Sequence, residues 1–317
     1  MTVDRTLAPG ENTGPQAAVR AAALPVLSPR WLSAVVRTTR PRQWPKNLLV
    51  FAAPLAGATL GRNDGFGYAL VAMFAFGCAS AAVYFVNDVA DADRDRRHPV
   101  KRNRPIASGA LPAQHALVLA LLAAAFAIAS GVVIGEPLLV VTASAYLCSS
   151  FLYSARLKHV PFVEMALVAS GFLLRVLGGA AATQVKPSIW FLLVCSLGAL
   201  GVAVAKRYTE LTSLGKDAVR HRPVMRWYRP GELRVAQLLI GAGMLATYLM
   251  WAASETSNAR GWHLASALPL AIALARFGVL TARRTVRPVE DLIIRDGFML
   301  CCEAAWLALF CAGLYAA

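Results

Sequence analysis

Four polar residues at the end of a long apolar run are the first candidates for chemistry in this sequence. They are Asn87, Asp88, Asp91 and Asp95. The run before them, Tyr68–Val86, is long enough to cross a bilayer. A helix continued through this segment places the three aspartates on one face, while Asp93 points roughly the other way. Carboxylates with an amide oxygen suit Mg²⁺, so we predict that these four residues hold Mg²⁺ and that the three aspartates are catalytic.

A basic segment follows at once. Its members are Arg94, Arg96, Arg97, His98, Lys101, Arg102 and Arg104. Acidic and basic groups together suit a metal-bound diphosphate, because Mg²⁺ bridges phosphate oxygens while Lys and Arg neutralise the rest. A juxtamembrane cluster that sets topology and contacts anionic lipid is an alternative for the cations. It does not explain the aspartates, since acidic residues gain nothing from an anionic surface.

The order of these residues resembles a known family. The pattern NDxxDxxxD followed by KxxRPIASG is similar to the first aspartate-rich motif of the UbiA superfamily of intramembrane prenyltransferases. The HP-x-K-R between these motifs, with RPRQWPKNLLVFAAPL (Arg40–Leu55) and KRYTEL (Lys206–Leu211), most resembles the actinobacterial members that transfer phosphoribose to decaprenyl phosphate. The resemblance runs from about Trp31 to the C-terminus. It implies an all-α, polytopic bundle of the UbiA type.

The composition independently indicates a membrane protein. Hydrophobic residues make up 57% of the 317 residues, the mean hydropathy is +0.54 and only 15% are charged, against about a quarter in soluble domains. The net charge of +15 comes from basic residues in short loops between apolar runs. This distribution favours a membrane surface and anionic substrates over nucleic acid. The six cysteines lie inside apolar runs without C-x-x-C spacing, so neither zinc nor a disulfide framework is indicated.

Nine apolar segments are predicted to cross the membrane within one catalytic domain, residues 30–317. They cover about residues 47–60, 68–86, 114–134, 137–153, 160–182, 189–205, 235–253, 262–280 and 292–316. The first is short unless Pro45 and Lys46 lie at the boundary. Gly178 and Gly179 are expected to let helices approach closely.

The N-terminal segments are predicted to stay outside the bundle. Residues 1–29 are rich in Ala, Pro and Gly and lack a signal-peptide pattern, so we expect a disordered tail. Residues 30–40 form a short amphipathic segment. We expect four apolar side chains on the membrane and two arginines in water, namely Trp31, Leu32, Val35 and Val36, with Arg37 and Arg40.

Loop charges orient the bundle. One set of loops is basic: residues 37–46, 94–104, 156–158, 206–234 and 283–287. The other set carries only Arg62, Lys186 and Arg260. By the positive-inside rule the basic set faces the cytoplasm, with the N-terminus inside and, after an odd number of crossings, the C-terminus outside. We therefore predict a multi-pass plasma-membrane protein whose active site faces the cytoplasm.

The resemblance implies further substrate-binding residues at the same ends of later spans. Tyr153–His159 resembles a tyrosine-plus-basic element that the family places near the diphosphate. KRYTEL stands where many members carry a second aspartate-rich motif, DxxxD; here only Glu210, with Asp217 farther on, offers a carboxylate. We expect this half of the site to recruit less metal and to neutralise phosphate directly. The substrate-binding candidates are Arg42, Lys46, Lys101, Arg104, Tyr153, Arg156, Lys158, Arg175, Lys206, Arg207, Tyr208 and Glu210.

Two ionisable residues fall inside the fifth predicted span. Glu164 and Arg175 are eleven residues apart, on about one face of the helix. An intramembrane charge is a functional-site hypothesis by default, so we expect Arg175 to reach a phosphate in a central cavity. A structural ion pair with another helix is the alternative. Glu303, in the ninth span, receives no role.

The loss of the second motif favours the phosphoribosyl branch over simple prenyl transfer. That branch implies Mg²⁺-dependent transfer from 5-phosphoribosyl 1-diphosphate to polyprenyl (decaprenyl) monophosphate, for cell-wall arabinogalactan synthesis. The acceptor phosphate is already ionised at pH 7, so no strong general base is required. Two alternatives stay open: a prenyltransferase acting on an aromatic ring, and a transporter. The predicted partners are both substrates and membrane lipids, and a homo-oligomer stays open.

Overall fold

The computed structural model describes residues 25–61, 64–215, 217–283 and 289–316. Every regular element within these ranges is a helix, which confirms the all-α prediction. The predicted tail covers residues 1–29, and residues 1–24 of it lie outside the described residues. Its last residue, Pro29, already belongs to the first helix, where the Ser28 side chain caps the Trp31 amide.

Eight of the described helices are long and apolar enough to cross a membrane. They are α3 (Gly65–Ala90), α5 (Ala113–Val133), α6 (Pro137–Ala155), α7 (Val163–Ala182), α8 (Ile189–Leu214), α10 (Pro230–Ser254), α11 (Ala259–Ala282) and α13 (Gly297–Ala316). The shorter α-helices are α1 (Pro29–Thr38), α2 (Ala52–Ala56), α4 (Ala92–Arg96), α9 (Asp217–His221) and α12 (Val289–Arg295). Four 3₁₀ helices cover Pro41–Phe51, Lys101–Asn103, Leu157–His159 and Pro223–Trp227. The chain is therefore a multi-pass membrane protein.

The first predicted span differs from the other eight, and the count of nine is not confirmed. It consists of the 3₁₀ helix Pro41–Phe51 followed by the five-residue α2. At the usual rise of these helices the two extend about 30 Å. They run from Arg40, beside Asp88, to Gly57, where an added Cβ would lie 3.1 Å from Val185 Cγ1. The segment thus follows the bundle lengthwise without forming a regular transmembrane helix.

This irregular segment is held inside the protein. Its 3₁₀ helix contains Pro45 in its interior, where a proline removes a backbone donor, so a continuous α-helix is disfavoured. Val50 is fully buried and Asn47 is 5% exposed, and both lie on the side that packs against α7 and α3. Irregular backbone at membrane depth is tolerated where protein surrounds it.

The helices pack mainly with neighbours in chain order. α3 packs on α5, α8 on α10, and α11 on α13, while α7 joins the two halves through α6 and α8. The buried side of α3 consists largely of alanines, and such small residues let helices approach closely. Leu121 and Val133 on α5 are largely exposed, as expected of a surface in contact with lipid tails.

Helix α1 corrects one expectation about the membrane surface. Trp31 is buried, in a cluster with Phe85 and Leu111, and does not lie on the membrane. Leu32 and Val36 remain exposed, in agreement with an amphipathic helix whose outer face meets lipid. α1 is thus attached to the bundle through its inner face, on which Trp31, Ala34 and Thr38 are buried.

Replacing Gly179 with alanine is expected to destabilise the fold. A Cβ at this position would lie 1.7 Å from the Val50 carbonyl oxygen, so the 3₁₀ segment must move away from α7. Overpacking of this kind costs about 1–3 kcal/mol, and the melting temperature in detergent measures it. Gly241→Ala on α10 is the matched control, because no heavy atom lies within 4 Å of its added Cβ. Equal melting temperatures for the two variants would contradict the close contact.

Candidate active site

The first predicted motif lies where α3 gives way to α4. Asp91 forms the joint, with φ −93° and ψ 0°. Helical hydrogen bonds nevertheless continue across it: the Asp91 amide donates to the Asn87 carbonyl at 2.9 Å, and the Asp95 amide donates to the Asp91 carbonyl at 2.8 Å. The helical spacing assumed from the sequence therefore holds through Asp95.

Two of the predicted carboxylates come together around one arginine. Asp88 and Asp95 are 3% and 2% exposed. Arg104 Nη1 donates to Asp88 Oδ1 at 3.2 Å and to Asp95 Oδ2 at 2.7 Å. Hydrogen bonds between ionised groups are among the strong ones, so this bridge fixes the loop after α4 against the end of α3.

Arg40 also belongs to this cluster, although its side chain was predicted to lie in water. Its Nη2 donates to Asp88 Oδ1 at 2.5 Å, and its guanidinium carbon lies 4.6 Å from the centroid of the Tyr84 ring. Its backbone is left-handed (φ 54°, ψ 69°), which is uncommon for a residue other than glycine. This turn between α1 and the 3₁₀ segment directs the side chain to Asp88. In the sequence, this turn was indicated only by the Arg40-Pro41 pair at the end of an amphipathic segment.

The remaining aspartates are arranged differently. Asp93 is exposed and pairs with Arg96, as its helical phase predicts. The Asp91 side chain is 39% exposed and lies 3.6 Å from Arg94 Nη1. In the ranges that the structure describes, no three His, Cys, Asp or Glu side chains form a group that could hold a metal ion. The predicted Mg²⁺ ligation thus requires Asp91 to turn toward Asp88 and Asp95, and it stays a prediction.

A second charged cluster lies where the N-terminal end of α7 meets the C-terminal end of α8. Glu164 is completely buried and accepts two hydrogen bonds of 2.5 Å from Arg207, one from Nε and one from Nη2. Arg207 Nη1 donates to Glu210 at 2.7 Å. The predicted phosphate-binding Arg207 and Glu210 are therefore engaged with each other and with Glu164. Their arrangement fastens α8 to α7.

Residues of the following loop complete this cluster. Arg222 donates to Tyr153 Oη at 3.1 Å and to Glu164 Oε2 at 3.4 Å. Tyr228 Oη accepts from the Phe162 amide at 2.9 Å and donates to Glu164 at 3.3 Å. Burial raises the pKa of the Tyr228 phenol, which keeps its donor proton in place. Neither Arg222 nor Tyr228 was predicted, because nothing in a basic loop marks which residue meets a buried glutamate.

Arg175 is a structural residue of the bundle interior. It is 5% exposed and donates to Asn47 Oδ1 at 2.8 Å, to the Gly171 carbonyl at 2.6 Å, to Ser80 Oγ at 2.9 Å and to Tyr146 Oη at 3.0 Å. It therefore binds the 3₁₀ segment, α3 and α6 to α7 through neutral acceptors. These acceptors are neutral and thus differ from the ion-pair partner on another helix that was the alternative, and the contact of Arg175 with a phosphate stays a prediction.

Two predicted lysines from distant parts of the chain meet at one aromatic ring. Lys46 Nζ lies 6.0 Å from the Phe172 ring centroid, and Lys206 Nζ lies 5.5 Å from it. Both lysines are half-buried. Phe172 on α7 thus brings together a cation from the irregular segment and one from α8.

Several other predicted residues lie around these clusters. Arg42, Lys101 and Arg156 are exposed, and Lys158 is half-buried. Tyr208 packs in the cluster of Met165 and Val224, with the Arg234 guanidinium 5.8 Å from its ring centroid. The structure does not connect them to a common centre, and their substrate contacts stay predictions.

A large apolar cavity of about 1400 Å³ lies beside the lysines. It is enclosed by the 3₁₀ segment, α2, α7, α8, α10, α11 and α13. Its lining includes Leu49, Phe172, Val202, Leu245, Trp251 and Trp306. The lining is mainly apolar, so the cavity suits a hydrocarbon chain.

The fold and these clusters define an intramembrane enzyme with charged groups above an apolar cavity. The chain belongs to the UbiA prenyltransferase family, which matches residues 48–295. Curated relatives include the decaprenyl-phosphate phosphoribosyltransferase of Mycobacterium tuberculosis (strain CDC 1551 / Oshkosh), which is 34% identical over 283 residues, 87% of this chain and 93% of that protein.

A second relative and one solved structure support this membership. The decaprenyl-phosphate phosphoribosyltransferase of Corynebacterium glutamicum is 31% identical over 290 residues, 89% of this chain and 86% of that protein. The structure of a UbiA homolog from Archaeoglobus fulgidus bound to DMAPP and Mg²⁺ has a TM-score of 0.68 at 16% identity, covering 90% of this chain and 100% of that chain. At that identity the likeness shows the fold.

Proposed function

We propose that this protein transfers the 5-phosphoribosyl group of 5-phosphoribosyl 1-diphosphate to polyprenyl phosphate, decaprenyl phosphate in its relatives, and releases diphosphate. The observation that carries the proposal is a bundle that combines a buried carboxylate–arginine cluster with two lysines at the edge of an apolar cavity. The relatives named for this reaction align over most of the chain. Formation of a cell-wall arabinogalactan precursor is the corresponding proposed role.

The donor atoms of the carboxylate cluster fit Mg²⁺. Asp88, Asp91 and Asp95 with the Asn87 amide would hold it, since Mg²⁺ prefers oxygen ligands. When bound, Mg²⁺ would supply positive charge against the negative charge that develops as diphosphate leaves. Arg40 and Arg104 contact the carboxylates in this structure. With the carboxylates engaged by a metal, the two guanidinium groups would be available to the diphosphate.

The reaction requires a dry site more than a strong base. The bond between the ribose anomeric carbon and the diphosphate oxygen breaks, and an oxygen of the lipid phosphate forms the new bond to that carbon. The acceptor phosphate is ionised at pH 7 and needs no deprotonation. The cations fix both anionic substrates, and the surrounding apolar helices exclude water that would otherwise hydrolyse the donor.

The location of the charged clusters supports an orientation in the membrane. Arg40, Asp88, Glu164 and Arg222 all lie at the end of the bundle that carries the basic loops. We therefore place this end at the cytoplasmic face of the plasma membrane, with the N-terminus inside and the C-terminus outside. The water-soluble donor then enters from the cytoplasm, while the acceptor enters from the lipid phase.

Radiolabelled donor tests the proposed function directly. Purified protein is incubated with 5-phosphoribosyl 1-diphosphate, polyprenyl monophosphate and Mg²⁺, and the products are extracted into organic solvent. Label in the lipid phase that EDTA abolishes is the expected result. Intact protein that leaves the lipid unlabelled, but joins a prenyl diphosphate to an aromatic acceptor, would overturn the proposal.

A further inference from the structure

Cations stand at the edge of the apolar cavity on two of the elements that form it. Leu49 lines the cavity and Lys46 precedes it by three residues on the 3₁₀ segment. Val202 lines the cavity and Lys206 follows it by one helical turn on α8. Phe172 lines the cavity and contacts both lysines. At this end of the cavity the boundary between apolar lining and positive charge therefore lies at Phe172, whereas Lys186 lines the cavity near the opposite end of α8.

The position of this boundary is fixed by other contacts of the same elements. Arg175, one turn along α7 from Phe172, donates to Asn47, the residue after Lys46. Arg207, the residue after Lys206, is held by Glu164. The backbones that carry the two lysines are thus anchored on both sides of Phe172. Lysine side chains of this kind act as flexible point charges on a fixed support.

The chemistry of this boundary suits one substrate better than the other. Two ammonium groups at the mouth of an apolar cavity match an amphiphile with a phosphate head, which carries a charge of about −1.5 to −2 at pH 7. The diphosphate of the donor has its own cations in Arg40 and Arg104, which already lie on the carboxylate cluster. The 5-phosphate of the donor lacks a hydrocarbon chain that would place it at the cavity.

We propose that Lys46 and Lys206 bind the phosphate head of the lipid acceptor while its polyprenyl chain occupies the cavity. The two lysines lie on either side of the cavity mouth, at Phe172. This assignment rests on the proposed function and divides the site in two. The carboxylate–arginine cluster binds the donor, and the lysine pair binds the acceptor. Arg175 acts as a positioning residue, because it holds Asn47 and through it Lys46.

Equilibrium binding to the full-length protein in detergent tests this division. Polyprenyl monophosphate, the corresponding polyprenol and Mg²⁺ with 5-phosphoribosyl 1-diphosphate are titrated separately. Lys206→Gln and Lys46→Gln are each expected to weaken lipid-phosphate binding about 10- to 100-fold, the effect of losing a hydrogen bond to a charged group. Polyprenol binding and donor binding are expected to stay within twofold. Lys206→Arg, which keeps the charge, is expected to retain most of the affinity.

Arg220→Gln is the matched control. Arg220 is an exposed cation that follows the C-terminal end of α8 and pairs with Asp217. The assignment fails if the lysine variants lose donor affinity while lipid-phosphate affinity is kept, or if wild-type protein binds polyprenol as tightly as its phosphate. Melting temperatures identify a variant that has merely unfolded, and Lys206→Arg then decides. Selective binding of lipid phosphate without phosphoribosyl transfer would overturn the proposed function and leave this site standing.

Discussion

Asp88→Asn is expected to lower kcat/KM for phosphoribosyl transfer by about 10²- to 10³-fold, the usual effect of removing one electrostatic contact to a reacting group. Asp88 is buried and accepts hydrogen bonds from both Arg40 and Arg104. Asparagine keeps the shape but removes the charge that these two arginines and the proposed Mg²⁺ require. Initial rates over a range of Mg²⁺ concentrations measure the effect, and the apparent Mg²⁺ requirement is expected to rise.

Asp93→Asn is the control for this experiment, because Asp93 is exposed and pairs only with Arg96 among its described contacts. We expect its rate to stay within about twofold of wild type, as for most exposed ion pairs. Asp91→Asn distinguishes the two arrangements of the site. A large loss supports a turn of Asp91 toward the metal, whereas losses of equal size for Asp91 and Asp93 would contradict the helical-face assignment.

Glu164→Ala is expected to destabilise the protein by about 3–5 kcal/mol, since it removes the buried partner of Arg207 and leaves only the partly exposed Glu210 as a counter-charge. Arg207 donates two 2.5 Å hydrogen bonds to this glutamate, and Arg222 and Tyr228 also contact it. The melting temperature in detergent should fall by roughly 10 °C. Glu232→Ala, which removes an exposed glutamate paired with Arg229, should have almost no effect.

A double variant separates charge from packing. Glu164→Leu with Arg207→Met replaces the buried pair by apolar side chains and should recover most of the stability lost in Glu164→Ala, because burying an unpaired charge causes the loss. Arg222, which is partly exposed, can turn toward water in this background. A Glu164→Ala variant as stable as wild type would show that this cluster does not fasten α8 to α7.

The parts of the fold that the sequence predicted are those encoded in local patterns. Apolar runs of bilayer length predict the second to ninth spans, and each of them overlaps one of the eight long helices among the described residues. Most boundaries agree within five residues, but α8 continues nine residues past the predicted end at residue 205. The first span was predicted as a short transmembrane helix, but Pro45 and Asn47 make it a 3₁₀ segment that depends on Arg175. A pattern within one segment contains no information about such a distant partner.

The same distinction applies to the site. Asp88, Asp95 and Arg104 lie within one motif, and the structure brings all three together. Arg207 meets Glu164 from 43 residues away, so its engagement in an ion cluster was invisible in KRYTEL. Arg40 reaches Asp88 through a left-handed turn, which neither hydrophobic periodicity nor charge counting predicts.

The network of Arg175 has a consequence for how the chain is made. Asn47 leaves the ribosome 128 residues before Arg175, its partner in the finished bundle. At about 5–20 residues per second, the 3₁₀ segment waits on the order of ten seconds before α7 is available. During that time its irregular backbone lacks the cover that α7 provides in the finished bundle. The first membrane-embedded part of the sequence therefore takes its final place only after α7 has been made.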